Sequence, residues 1–157
     1  MAGKVKPIPE GYAPVTPYLV VDGADAAIDF YTKFFGAKER MRMPAPGNKI
    51  GHAEIEIGNS IVMLADANPE MGHKSPKTLG GTPIGLVLYV DNVDDTVKRA
   101  TTAGAKVVRP VEDQFYGDRM GTLLDPFGHQ WYVATHIEDV SPEEMKRRMA
   151  AMAPAGA

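Results

Sequence analysis

The sequence predicts an α+β fold of two βαβββ modules with mixed sheets, followed by a C-terminal helix. Three observations carry this. The order strand, helix, three strands occurs twice along the chain. The segments LVVDGADAAIDFYTKFFGAK and LYVDNVDDTVKRATTAGAK align with each other, as do HAEIEIGNSIVML and RMGTLLDPFGHQWYV, so the repeat is internal. The strand stretches alternate with period two, whereas the helical stretches carry apolar residues three and four apart.

Residues 1–14 (MAGKVKPIPEGYAP), rich in Pro, Gly and Lys, predict an irregular N-terminal arm. Residues 15–136 predict a single domain, with module one at 15–65, a loop at 66–83 and module two at 84–136. Residues 137–157 predict a C-terminal helix and tail. Residues 15–21 (VTPYLVV) read as a strand, with Pro17 arguing for an edge or an irregularity. Ala27, Ile28, Tyr31, Phe34 and Phe35 give 24–35 the spacing of an amphipathic helix, and Gly36 is placed to cap it. A short strand at 38–43 leads through PAPGN to the alternating IGHAEIEI at 50–57, and Gly58-Asn59 turns the chain into SIVMLA at 60–65. Residues 66–83 lack periodicity and predict a linker or mobile loop. The order then begins again: a strand at 84–90, a helix at 93–103, a strand at 106–111 and a hairpin. The hairpin pairs 119–124 with 129–135 across Asp125-Pro126-Phe127-Gly128, where Pro suits the second turn position. The last helix, 141–152, opens with SPEE, a Ser cap followed by Pro and acids. Its Met145, Met149 and Met152 predict packing on the domain or on a partner chain.

Composition excludes several functions. Of 157 residues, 44% are hydrophobic and 24% charged, the range of a soluble domain, and a formal charge of −3 leaves no basic stripe for nucleic acid. The absence of cysteine removes thiol nucleophiles, disulfides and thiolate metal sites. No apolar run reaches a membrane span and the start carries no signal-peptide pattern, so a cytoplasmic protein is expected.

The strand endings VDG and VDN before each helix, IDFYTKFFGAK, and GDRMGTLLDPFGHQW together resemble the vicinal oxygen chelate superfamily, which includes glyoxalase I, extradiol dioxygenases, fosfomycin-resistance enzymes and bleomycin-binding proteins. MPAPGNKIGHAEIEIG and QFYGDRMGTLLDPFGHQWYVATHIEDVSPEEM are similar to its PhnB-like branch. The resemblance implies a curved mixed sheet around a cleft. It also implies a divalent metal held by His, Gln or Glu at four positions on the first and fourth strands of each module. Carried over, these fall on Thr16, Met63, Gly85 and Tyr132, none of which is such a donor, and the usual DPDGN turn is DPFGH here. The expectation is therefore that the family metal site is absent and no cofactor is held. The methyltransferase label given to some sequences of this branch lacks a glycine-rich cofactor loop to support it.

Alternation places His52, Glu54 and Glu56 on the cleft face, with Arg119, Gly121 and Leu123 on the matching face of module two. Thr16, Tyr18, Met63, Val87, Tyr89, Gln130 and Tyr132 complete a mostly aromatic and apolar lining, the make-up of a small-molecule pocket. His52 and Glu54 are read either as an acid–base pair or as half-exposed strand residues with Glu54 partnering Arg119. A noncanonical divalent metal on this pair is a further alternative. Arg119 offers a fork for a carboxylate or phosphonate, or an ion pair with Glu54 or Asp118. Tyr116 and Phe115 are placed to close the pocket mouth, Trp131 to fill the core, His129 to satisfy its turn and His136 to lie at the surface. His73 belongs to a solvated loop or a lid. The expected function is binding of a small aromatic or anionic molecule, with a glyoxalase-like lyase or isomerase using His52 and Glu54 as the alternative. The open sheet edges predict a homodimer, with neither nucleic acid nor membrane as partner.

Overall fold

The apolar spacing of ADAAIDFYTKFF forms helix α1 (Ala24–Phe35), with Ala27, Ile28, Tyr31 and Phe35 buried. The structure, a computed structural model, describes residues 5–152; the first four residues of the expected arm and the last five of the expected tail lie outside them. Gly36 ends α1 at φ 69, a left-handed conformation that costs glycine nothing, and donates its N–H to the Tyr31 carbonyl. The start of α1 has no side-chain cap of its own. Asp66 supplies one from a neighbouring strand: its Oδ1 accepts from the N–H groups of Gly23 and Ala24, both at 2.9 Å, and its Oδ2 from Ile50 at 2.7 Å.

Four strands make the sheet of module one: β1 (Tyr18–Val21), β2 (Lys38–Ala45), β3 (Lys49–Ile57) and β4 (Ser60–Asp66), in the order β1-β4-β3-β2. β1 is parallel to β4 and the other pairs are antiparallel. β1 starts three residues later than expected. Pro17 has no N–H to give, and the Thr16 hydroxyl turns back to the Ala13 carbonyl at 3.2 Å. Pro44 sits on the edge strand β2, beside a register shift, where a missing donor does least harm. Leu19, Ala53, Ile55, Val62 and Leu64 are buried on the α1 side of the sheet. Each such aliphatic side chain is worth roughly 1.5–3 kcal/mol on removal from water.

The segment after β4, expected to lack secondary structure, holds a 3-10 turn (Pro69–Met71) and a one-turn helix α2 (Pro76–Leu79). Ser75 ties it down. Fully buried, it donates its hydroxyl to Asp22 and accepts from the Thr78 N–H at 3.3 Å. This Ser and the paired backbones of Asn68 and His73 order the segment, which hydrophobic periodicity does not reveal.

Module two repeats the pattern. Strands β5 (Gly85–Tyr89), β6 (Lys106–Asp113), β7 (Asp118–Leu124) and β8 (Gln130–His136) run in the order β5-β8-β7-β6, with helix α3 (Val93–Thr102) after β5. Asn92 caps α3 by accepting from the Asp95 N–H at 3.0 Å, and the Thr135 hydroxyl accepts from the Val93 N–H at 2.9 Å. The two compact units of the chain meet in sequence between Thr82 and Pro83. Helix α4 (Pro142–Met152) begins with the Ser141 hydroxyl accepting from the Glu144 N–H. Within the chain Met149 and Met152 are exposed while Met145 is half-buried, and Arg148 holds the helix through Glu138, Glu144 and the Phe115 carbonyl. Among the described residues no helix is long and apolar enough to cross a membrane.

The β7–β8 turn is organised by Asp125, which is 4% exposed. Its Oδ1 accepts from the N–H groups of Phe127 and His129, and its Oδ2 from the Trp131 indole at 2.8 Å. Asp125→Ala strands three donors in the interior and is expected to cost about 2–4 kcal/mol. Urea unfolding checks this; a loss within about 0.5 kcal/mol, the range of ordinary surface changes, would show that the turn does not depend on the carboxylate.

Candidate functional site

Burial on the α1 side fixes the opposite face of module one. With Ala53 and Ile55 beneath the helix, His52 and Glu54 must project from the other side of β3. The register sets Glu54 opposite Met63, Met63 opposite Tyr18, Met41 opposite Glu54 and Met43 opposite His52. The predicted residues His52, Glu54, Tyr18 and Met63 therefore do come together. His52 Nδ1 is 3.0 Å from the Tyr18 hydroxyl, and its Nε2 is 3.4 Å from Glu54 Oε1. The Tyr18 and His52 rings lie 5.5 Å apart, tilted by 40°. Both imidazole nitrogens are engaged, so the outermost polar group is the Tyr18 hydroxyl, whose pKa burial raises.

Glu54 is 5% exposed, a cost that only donors offset. The Tyr12 hydroxyl donates to its Oε2 at 2.6 Å, and the Arg40 guanidinium stands 3.6 Å from the same oxygen. The Tyr12 hydrogen bond, then His52 and Arg40, hold the carboxyl below its ordinary range against the opposing effect of burial. Arg40 also lies over the Tyr12 ring, 5.2 Å from its centroid. Neither Tyr12 nor Arg40 emerges from the strand pattern. Tyr12 belongs to the arm, and Arg40 sits where β2 shifts register between Glu39 and Met41. The sequence did hold a signal, since Pro9-Glu10-Gly11-Tyr12 is turn chemistry. Gly11 adopts φ 82 and the Tyr12 N–H donates to the Pro9 carbonyl at 3.2 Å.

Module two departs from expectation by one residue. Arg119, Gly121 and Leu123 face the helix rather than the open side. Leu123 is fully buried opposite Trp131, and Arg119 pairs with Thr135, which caps α3. Arg119 is bidentate to Asp94 of α3 at 2.7 and 2.8 Å and reaches Asp113 at 2.8 Å, in place of the expected pair with Glu54 or Asp118. The register gives the true counterparts of His52 and Glu54 as Met120 and Thr122, because Thr122 opposes Tyr132 as Glu54 opposes Met63. Polar groups on this open face gather at the strand ends instead. Buried Asp118 accepts from the Tyr89 hydroxyl at 2.8 Å and lies 2.7 Å from His136 Nδ1, while His136 Nε2 meets Asp139 at 2.9 Å. Asp139 and then Asp118 raise the His136 pKa. A cavity of about 420 Å3 is lined by Tyr89, Val90, Asp91, Thr135 and His136. Gln130 donates to the Tyr132 hydroxyl at 2.7 Å, and the Tyr116 hydroxyl to the Met120 sulfur at 3.5 Å.

The four positions that the resemblance implies for a metal do not fit one. Thr16 lies before β1, not on it, and Met63 offers only a thioether. Gly85 has no side chain, and a Cβ there would lie 2.3 Å from the Tyr132 ring, so Tyr132 fills the space a ligand at residue 85 would need. Among the described residues no group of three or more His, Asp or Glu side chains is arranged to hold a metal ion.

Because Glu54 has a lowered pKa in the folded state, its stabilising effect is complete above its ordinary value of 4.5 and is lost as pH falls through the folded value. Glu54→Gln should flatten the fall in stability on acidification from pH 5 to pH 3, an expected outcome that urea midpoints at both pH values would check. An unchanged pH slope would show that Glu54 is not held ionised.

Comparison with known proteins agrees with this architecture. The Rv0887c protein of Mycobacterium tuberculosis, itself uncharacterised, is 46% identical over 139 residues, 87% of this chain and 82% of that one. The crystal structure of TioX from Micromonospora sp. ML1 is 28% identical with a TM-score of 0.60, covering 82% of this chain and 100% of that chain. A putative 3-demethylubiquinone-9 3-methyltransferase, PhnB protein, from Bacillus cereus has a TM-score of 0.62 at 16% identity, covering 78% and 99%, a likeness of fold alone. A family model matches residues 12–133, within which both βαβββ repeats fall almost entirely, and the chain belongs to the Glyoxalase/Bleomycin resistance protein/Dioxygenase superfamily.

Proposed function

We propose that this protein is a metal-independent binding module for a small, flat, largely apolar molecule that lies on the open face of module one. The supporting observation is the composition of that face. Three thioethers, Met41, Met43 and Met63, surround the hydrogen-bonded run Tyr18–His52–Glu54. Thioethers are polarizable and adapt to varied aromatic shapes, while Tyr18 offers a hydroxyl at the exposed end to orient a polar edge. The anionic ligand that Arg119 suggested loses its support, because that guanidinium is spent on Asp94 and Asp113 on the helix side. The missing donors at residues 16, 63, 85 and 132 favour binding without metal.

A second reading, acid–base chemistry by a lyase or isomerase, draws on one observation. Glu54, His52 and Tyr18 form a continuous path along which a proton can pass from an exposed hydroxyl to a buried carboxylate. In that case His52→Ala would abolish turnover with folding intact, and an unaffected rate would remove this reading.

The binding reading is tested with methyl-labelled Met and ring-labelled His, titrated with toluene and indole before and after treatment with a chelator. Shifts confined to Met41, Met43, Met63 and His52, unchanged by the chelator, are expected. Elemental analysis after loading with Zn, Ni, Mn or Fe(II) and desalting should find no retained metal. About one metal per chain, or ligand shifts that require added metal, would overturn the proposal.

A further inference from the structure

Tyr12 is not part of the sheet, yet it makes the shortest contact to Glu54, the buried acid on the open face of module one. Three features meet at it. Its hydroxyl donates to Glu54 Oε2 at 2.6 Å, the Arg40 guanidinium covers its ring at 5.2 Å, and the turn at Gly11 aims it from the arm. Glu54 and Arg40 lie on strands β3 and β2, not on the arm. They present a carboxylate acceptor for a hydroxyl and a flat cation for a ring face, spaced for one phenol.

We propose that Glu54 and Arg40 form a phenol-binding subsite, and that Tyr12 is an internal stand-in which a small phenolic ligand displaces. This rests on the reading of the face as a ligand site and adds the class of ligand, a compound with a free 4-hydroxyphenyl group. The incoming hydroxyl takes the Tyr12 position on Glu54 and its ring takes the place beneath Arg40. The remainder of the ligand runs along the thioethers towards Tyr18 and His52. Since Tyr12 competes from the same chain, the intact protein binds a phenol more weakly than the bare subsite does. The Tyr12 hydroxyl, its pKa raised chiefly by Glu54, stays protonated at neutral pH and remains a donor, as the ligand hydroxyl must be.

The probe is p-cresol, which reproduces the Tyr side chain, with toluene as the same shape lacking the hydroxyl. Binding is followed by calorimetry and by the amide signals of residues 10–13 in the full chain, its Tyr12→Phe and Tyr12→Ala variants, and Tyr12→Ala with Glu54→Gln. The affinity for p-cresol should rise from the natural chain to Tyr12→Phe to Tyr12→Ala, and in Tyr12→Ala p-cresol should exceed toluene about tenfold or more. Glu54→Gln should remove that advantage, the loss expected for one hydrogen bond to a charged acceptor. In the natural chain, saturating p-cresol should release the amides of residues 10–13 from their folded positions. Equal binding of p-cresol and toluene to Tyr12→Ala would overturn the phenol subsite while leaving the face as an aromatic site. Arm signals that stay folded at saturation would overturn the displacement. If neither compound binds any variant, the binding reading fails as well. Tyr12→Phe, which changes one atom, keeps the test valid should Tyr12→Ala fold poorly.

Discussion

The side-chain period of two along β3 is the constraint on which module one depends. Ala53 and Ile55 must go beneath α1 to bury their surface, and that choice sends His52 and Glu54 to the other face. A carboxylate on that face, shielded to 5% exposure, then needs donors. Strand β2 supplies Arg40 through a register shift, and the arm supplies Tyr12 through a glycine turn. The polar cluster is thus a consequence of one strand's alternation, and the two irregular segments beside it complete its hydrogen bonding.

Carboxylates play a second, purely structural part in both modules. Asp66 ties the start of α1 to β3, and Asp125 ties a turn to the Trp131 indole. Each accepts from three donors, at distances of 2.7 to 2.9 Å, and so satisfies groups that the regular hydrogen-bond ladder leaves over. Glu54 differs from both. Its donors are side chains on an open face, one of them from a segment outside any strand or helix, so its partners are exchangeable in a way that backbone amides are not.

The fold was legible because repetition and periodicity are properties of the chain itself. The order of elements and the bounds of α1 follow from spacing that any reader can count. What periodicity does not encode was missed. Ser75, reaching Asp22 across 53 residues, orders a segment that has no pattern of its own. Tyr12 pairs with Glu54 across 42 residues, a contact that depends on where the arm crosses the sheet. The displacement of Arg119 to the helix side has a different cause. Alternation assigns faces only after a starting residue is chosen, and β7 ends on two adjacent leucines, Leu123 and Leu124, which fit either face. Asp94 in the first turn of α3 was the available signal, an acid placed to receive Arg119.

The two modules began as one pattern, and their open faces now differ at equivalent positions. Glu54 and His52 correspond to Thr122 and Met120, while Met63 corresponds to Tyr132. In module two the Tyr132 ring occupies the space that a side chain at Gly85 would need, which closes that position to any ligand-bearing residue while Tyr132 stays where it is. Building a metal site there would require at least these two positions to change together, since His at residue 85 would strike the ring and loss of the ring alone would leave no donor. The polar groups of this module have moved to the strand ends, at Asp118 and His136, beside their own cavity. Module one, by contrast, keeps its polar run at mid-strand among thioethers. Where the family resemblance implies a metal to orient a ligand, the proposed reading gives that task to Tyr18, His52 and Glu54, whose hydrogen bonds are already made before a ligand arrives.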